Sequence, residues 1–314
     1  MESSEWREVV KLEKENRPVS FISYVPYMFF KFLVQIVNHM SVSASARLAD
    51  FVGALLFLRK RRREFSIKNL HQTFPLKSIQ EIKKIGRSSM QAMVKTIFEF
   101  TRLPIISKRP QDYIEILGER HVRKALEIGN GVILAVSHFG NWELAGIAAA
   151  AKGLPLHAIG KPNKNPLIDK YIKRMRGLTG LKTIDQQGAV PKCIRLLKQN
   201  QIIAMLIDEH ARKGGVWVDL FGQKASTSAL PATLALKYNA PVVPAFFYRE
   251  TGKKSQLIFG EAFPLKRTGH YQSDILENTQ EYMRYLQTEI IKRPADWLLW
   301  MHNRWRWNDT HQAA

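Results

Sequence analysis

Residues 131–153 read GVILAVSHFGNWELAGIAAAAKG. The stretch divides into a wholly apolar run of strand type, GVILAVS, a glycine-containing turn, and an Ala-rich helix that stops at Gly153. Similar units follow. PLHAIGK reads as a strand, NPLIDKYIKRMRGLTG and VPKCIRLLKQN as helices, and QIIAMLIDEH as a strand. TSALPATLALKYN is helical, APVVPAFFYRE and SQLIFGEAFPL are strands, and DILENTQEYMRYLQTEIIKR closes the series as a long amphipathic helix. Strands alternating with helices predict an α/β fold with a mostly parallel central sheet flanked by helices. In such sheets the working residues gather at the carboxyl ends of the strands. Ser137-His138 and Asp208 both follow apolar runs at that position, which makes them candidates for one site.

Upstream the pattern is helical. Ser78-Ile79-Gln80-Glu81 has capping-box spacing, and Ile82, Ile85, Met90, Met93, Ile97 and Phe98 follow at helical intervals. The segment PVSFISYVPYMFFKFLVQIVNHM has thirteen uncharged residues from Pro18 to Phe30, short of the roughly 20 that a spanning helix needs. Phe21, Tyr24, Tyr27, Phe29, Phe30 and Phe32 crowd into it, a composition suited to a headgroup boundary. A second apolar segment, ADFVGALLFL, runs directly into RKRRR at 59–63. Apolar surface bordered by basic residues fits a helix lying on an anionic membrane surface; an ordinary buried helical hairpin is the alternative. The opening MESSEWREVVKLEKEN is acidic and does not read as a secretory signal. These features divide the chain into an N-terminal helical, membrane-associating region at 1–125 and an α/β core at 126–314.

Composition narrows the partners. Across 314 residues, 48 Lys and Arg against 27 Asp and Glu give a net charge of +21. An anionic partner is expected: nucleic acid, an anionic membrane, a phosphorylated substrate or an acidic carrier protein. No recognition-helix or RNP-type signature appears, and aromatic residues concentrate in apolar segments, so no nucleic-acid partner is expected. The single cysteine, Cys193, rules out an intrachain disulfide and a cysteine-based zinc site, and reads as a small buried apolar residue.

Chemistry points first to His138. A carboxylate five places after a histidine is expected about once by chance in this composition, and only His138 has one, Glu143. The context adds weight: a strand ends, a turn intervenes, and a helix starts whose first N–H groups face the same space. Glu143, in the first helical turn, could reach back and stabilise an imidazolium. The alternative is a hydrogen-bonded structural histidine and an N-terminal helix carboxylate. No G-x-S-x-G elbow, G-x-x-x-x-G-K-[ST] loop or H-E-x-x-H helix is present. A base without an enzyme nucleophile must activate a group on the substrate, an acceptor hydroxyl or a water.

SHFGNWE, GKPNKNPLIDKYIKRMRGLTG, DEHARKGGVWVDLFGQKASTS, APVVPAFFYRE and RPADWLLWMHNRWRW, with RRREFSIKNLHQTFP near the N-terminus, resemble the bacterial lipid A biosynthesis acyltransferases. This family of lauroyl and myristoyl transferases lies within the lysophospholipid acyltransferase group. The resemblance spans nearly the whole chain in the family's order. His138 and Glu143 match the group's histidine-x4-acidic motif. The resemblance implies acyl transfer from an acyl carrier protein thioester to a hydroxyl of a lipid A precursor, at the cytoplasmic face of the bacterial inner membrane, with no metal or bound cofactor required. It implies that His138 deprotonates the hydroxyl while Glu143 orients His138. Backbone N–H groups near Gly140 and Asn141 are then expected to hold the oxyanion, with Arg176 as a charged supplement from the R-x-x-x-G block. Asp208 and Arg212 match a strand-end acidic block, where His210 stands in place of the family's common second aspartate. Arg176 also reads as a surface charge, and Asp208 with Arg212 as a structural ion pair. His302 and Arg304 match family positions without an assigned step. Another lysolipid or glycolipid acceptor, and a hydrolase using water, are the competing readings.

Overall fold

The computed structural model of the chain describes residues 21–250 and 252–305; the acidic opening at 1–16 and Trp307 of the terminal segment lie outside the described residues. Among the described residues four helices come first: α1 (Phe21–His39), α2 (Val42–Phe57), α3 (Lys60–Thr73) and α4 (Ile79–Thr101). The capping box at the start of α4 is present: Ser78 Oγ accepts from the Glu81 N–H, and the Glu81 carboxylate accepts from the Ser78 N–H at 2.9 Å. Helix α2 crosses α4 at Gly53, where a Cβ would lie 2.5 Å from Gln91 Cα, so only glycine permits that approach. Among the described residues no helix is long and apolar enough to cross a membrane.

The α/β core follows as β1 (Ile114–Leu117), α5 (Glu119–Glu127), β2 (Val132–Val136), α6 (Trp142–Ala151), β3 (Leu156–Gly160), α7 (Pro166–Gly177), β4 (Lys182–Asp185), α8 (Ala189–Lys198) and β5 (Ile202–Leu206). A hairpin of β6 (Gly215–Leu220) and β7 (Gln223–Ser228) interrupts the alternation before α9 (Leu230–Tyr238), β8 (Val242–Tyr248), β9 (Ser255–Phe259) and α10 (Tyr271–Lys292). The seven-stranded sheet has the order β1-β9-β8-β2-β5-β3-β4. Strands β8, β2, β5, β3 and β4 are mutually parallel, whereas β9 runs antiparallel to β8 and carries β1 parallel to itself at the edge. The mostly parallel sheet matches the sequence reading.

Apolar side chains on successive positions enter opposite layers. Val132 and Leu134 of β2 join a core with α5 and α6, while Ile133 and Ala135 join one with α8, α9 and α10. Burial on both faces is why these strands are apolar throughout. Three features were not foreseen. Strand β1 arises before residue 126, within the region read as helical, and β4 and the β6–β7 hairpin also went unread. IEIL and KTID are too short to display a period, and the QKASTS strand is polar. Cys193 is buried, and burial pushes its thiol up to about 11.

Candidate active site

The register of two neighbouring strands builds the site. Val136 pairs with Leu206 across β2 and β5, so the residues two places further on, His138 and Asp208, meet beyond the strand ends. Asp208 is fully buried. Its Oδ2 accepts from the His138 backbone N–H at 2.7 Å and from Trp297 Nε1 at 2.9 Å, and its Oδ1 lies 2.9 Å from His138 Nδ1. Burial alone would raise the Asp208 pKa, but the His138 ring and these hydrogen bonds outweigh it and hold the carboxyl below its ordinary value. An ionised carboxylate only accepts, so Nδ1 must carry the proton. In the neutral ring Nε2 is then the free base. It lies 3.7 Å from the exposed Glu209 carboxylate, and the Trp142 ring stands edge-on at 4.7 Å between centroids. Burial also opposes charging His138, yet Asp208, with smaller help from Glu209 and Glu143, raises its pKa above the usual imidazole value.

The C-terminal segment locks the turn in place. Phe139 bridges Trp297 in antiparallel fashion, the Gly140 N–H donates to Asp296 O at 2.9 Å, and the Leu298 N–H donates to His138 O at 2.9 Å. Gly140 has φ 62°, and a Cβ there would lie 1.9 Å from Phe247 O. Glycine is therefore the residue that lets the turn pack on β8.

These contacts correct four sequence expectations. Asp208, not Glu143, is the carboxylate on the His138 ring. Glu143 instead takes a two-pronged ion pair from Arg176 of α7, with Nε–Oε2 at 2.8 Å and Nη2–Oε1 at 2.6 Å. Arg176 is thus no loose surface charge. The Gly140 N–H is committed to Asp296 O, and Asn141 is wholly buried, its Oδ1 capping α6 through the Leu144 N–H and its Nδ2 donating to Glu99 at 2.7 Å. The Gly140 N–H is therefore not the donor expected for an oxyanion, and the Asn141 side chain is committed as well. Asp208 bonds to His138 and Trp297 rather than pairing with Arg212, which lines the mouth of the cavity.

His138, Glu143 and Arg176 share a cavity of about 1020 Å³, at the upper end of the roughly 300–1,000 Å³ typical of ligand pockets. One arm runs between α6 and the sheet, where Ala145, Gly146 and Ala149 face Ala158, Ala204 and Ala245. Small side chains on both walls keep it open, and Leu257 and Phe259 line it further along. The mouth is polar and basic, with exposed Lys161, Arg212, Lys213 and His302, and Arg304 lines the cavity deeper in. Buried Arg304 donates to Ser226 O at 2.8 Å and to Thr227 Oγ1 at 2.6 Å, and burial lowers its pKa to about 10. Among the described residues no group of three or more His, Cys, Asp or Glu side chains is arranged to hold a metal ion. The arrangement suits a base at the junction of a basic entrance and an apolar channel.

A family model described as bacterial lipid A biosynthesis acyltransferase matches residues 13–307. The chain belongs to that family. It is therefore an acyltransferase. It is 24% identical over 216 residues to a phosphatidylinositol mannoside acyltransferase of Mycolicibacterium smegmatis, covering 67% of this chain and 69% of that one. It is 26% identical over 198 residues to a lipid A biosynthesis acyltransferase of Haemophilus influenzae, covering 62% of each. A more distant likeness is to the crystal structure of the 1-acyl-sn-glycerophosphate acyltransferase PlsC from Thermotoga maritima, with TM-score 0.37 and 13% identity over 78% of this chain and 99% of that chain.

Sequence reasoning placed His138 and Asp208 at strand ends as candidates for one site but missed Trp297 as the third party. A tryptophan 89 residues from Asp208 gives no spacing signal. In this acyltransferase, Asp208→Asn removes the charge that raises the His138 pKa and disturbs the tautomer. We expect kcat to fall by about 10²–10⁴-fold, as carboxylate loss does in analogous pairs, and the acid limb of the residual kcat/KM profile to move to lower pH. A retained kcat with an unmoved acid limb would uncouple Asp208 from the base.

Proposed function

We propose that this acyltransferase moves a fatty acyl chain from an acyl carrier protein thioester to a hydroxyl of a lipid A precursor, with His138 as general base. The observation that carries this reading is His138 itself, its Nδ1 held by buried Asp208 and its ring opening onto a cavity with an apolar arm. The acceptor hydroxyl gives its proton to Nε2 as its oxygen attacks the thioester carbonyl. The tetrahedral intermediate then collapses, expelling the thiolate, which takes the proton back from the imidazolium. Ester and thiol are the products, and no water or redox partner enters. Asp208 offsets the transient positive charge on the ring. With the Gly140 N–H committed to Asp296 O, Arg176, fixed by Glu143, is the charged group assigned to face the oxyanion. The basic mouth suits a phosphorylated acceptor and an acidic carrier protein.

A glycosylated phosphoinositide acceptor is the second reading, supported by the likeness to the M. smegmatis enzyme. Purified protein given acyl carrier protein or coenzyme A thioesters, each with a lipid A precursor, a lysophospholipid or a phosphatidylinositol mannoside, separates these. The lipid A reading predicts the highest kcat/KM for the carrier thioester with the lipid A precursor. Free fatty acid released equally with and without acceptor would make the protein a hydrolase instead.

We further propose that the N-terminal helices seat on an anionic membrane surface, the cytoplasmic face of the bacterial inner membrane. Ile22, Val25, Phe29, Phe32 and Ile36 form an exposed stripe along α1 at spacings of three and four residues, and Phe51 and Leu55 in the second half of α2 and Leu58 just beyond it are exposed as well. Leu58 leads directly into Arg59–Arg63 at the start of α3. Such a stripe with a basic border fits a helix lying in the headgroup layer. The double variant Phe29→Asp/Phe32→Asp should lose co-flotation with phosphatidylglycerol vesicles while keeping its fold; unchanged flotation would reject this seat.

A further inference from the structure

Behind the catalytic turn lies a half-buried charge cluster that the proposed chemistry does not use. Glu99 stands in the last turn of α4, and Arg249 directly follows β8. Arg249 Nε and Nη2 each donate to Glu99 at 2.8 Å, one to each oxygen, and Nη2 also reaches Thr96 Oγ1 at 3.1 Å. The remaining contacts go to the turn. Asn141 Nδ2 donates to Glu99 Oε2 at 2.7 Å, and Thr96 Oγ1 lies 3.1 Å from Gly140 O. Arg249 O in turn accepts from Arg293 Nη2 at 2.7 Å, which ties the cluster to the segment that carries Asp296 and Trp297.

For stability alone such a half-buried pair is a poor device, because desolvation and lost side-chain freedom offset most of its attraction. What it supplies is direction. Burial opposes charging Arg249, the Glu99 carboxylate outweighs that, and the two parallel hydrogen bonds hold the pair in a fixed geometry. That geometry converges on Gly140 and Asn141, two and three residues beyond His138. The same end of α4 is tied to the N-terminal helices: Lys95 pairs with Asp50 at 2.8 Å, and Arg102 Nη1 donates to Val37 O and Met40 O, both at 2.9 Å.

We propose that Glu99 and Arg249 are positioning residues for acyl transfer, fixing Asn141 and the turn so that His138 keeps its alignment with Asp208 and the cavity. The proposal rests on the reading of His138 as the base. Misplacing a reacting group by about 1 Å can cost on the order of 10²-fold in rate, and the loss falls on kcat when ground-state binding is untouched.

Full-length protein assayed with acyl donor and acceptor in detergent micelles gives the test. Glu99→Gln should lower kcat by about 10–100-fold while both KM values stay within about threefold. The double variant Glu99→Gln/Asn141→Asp exchanges amide and carboxylate, reverses the donor of the 99–141 hydrogen bond and keeps an N-cap on α6; it should recover at least about tenfold of that loss. Should Glu99→Gln not fold, isosteric Thr96→Val should still lower kcat with both KM values unchanged. A wild-type kcat in the folded single variant, a loss carried wholly by KM, or no recovery in the double variant would overturn the proposal. A His138→Ala arm separates the two readings. Inactivity there beside a fully active Glu99→Gln sinks only the positioning role, whereas an active His138→Ala sinks the base on which it depends.

Discussion

The hydrogen bond between the His138 ring and the buried Asp208 carboxylate is the constraint around which this acyltransferase is arranged. It needs β2 and β5 to be neighbours in the Val136–Leu206 register, because a one-residue slip would send one partner to the opposite face of the sheet. It also needs something to offset a carboxylate with no solvent contact. Backbone N–H, ring N–H and indole N–H converge on it, and the indole comes from the far end of the chain. The fold thus brings residues 138, 208 and 297 to one point, and the free face of the ring is what remains for chemistry.

The cavity follows from side-chain size as much as from topology. Alanine and glycine on α6, opposite alanines on the sheet, leave a channel where larger residues would have closed the core. Elsewhere large side chains fill the layers, with Trp297 and Trp300 meeting at 4.5 Å between ring centroids and tied to α3 and α4 by Asn69 and Ser89. Ser89 Oγ donates to Trp297 O at 2.7 Å, so the helical annex also supports the segment that holds Asp208. The N-terminal helices therefore brace the active turn as well as presenting an apolar face.

Much of this was readable from the amino acids. Apolar runs without alternation identified the interior strands, and the placement of His138 and Asp208 after two such runs anticipated that these two residues meet. The partner of the imidazole was misread because a fixed interval in sequence favours Glu143, whereas strand register favours Asp208 from 70 residues away. Glu143 sits near enough to add to the field at His138, but Arg176 draws its carboxylate to the cavity wall. Short strands such as β1 and β4 were invisible because four residues carry too little pattern. The Glu99–Arg249 cluster was equally silent, since charged residues 150 positions apart look like solvated surface until the fold closes over them.

The most direct test of the His138–Asp208 couple is a pH titration of ring-nitrogen-labelled histidine by NMR. The neutral His138 ring should carry its proton on Nδ1, leave Nε2 unprotonated, and titrate above the usual imidazole value of about 6.5. A neutral ring protonated at Nε2, or a pKa below that value, would contradict the account.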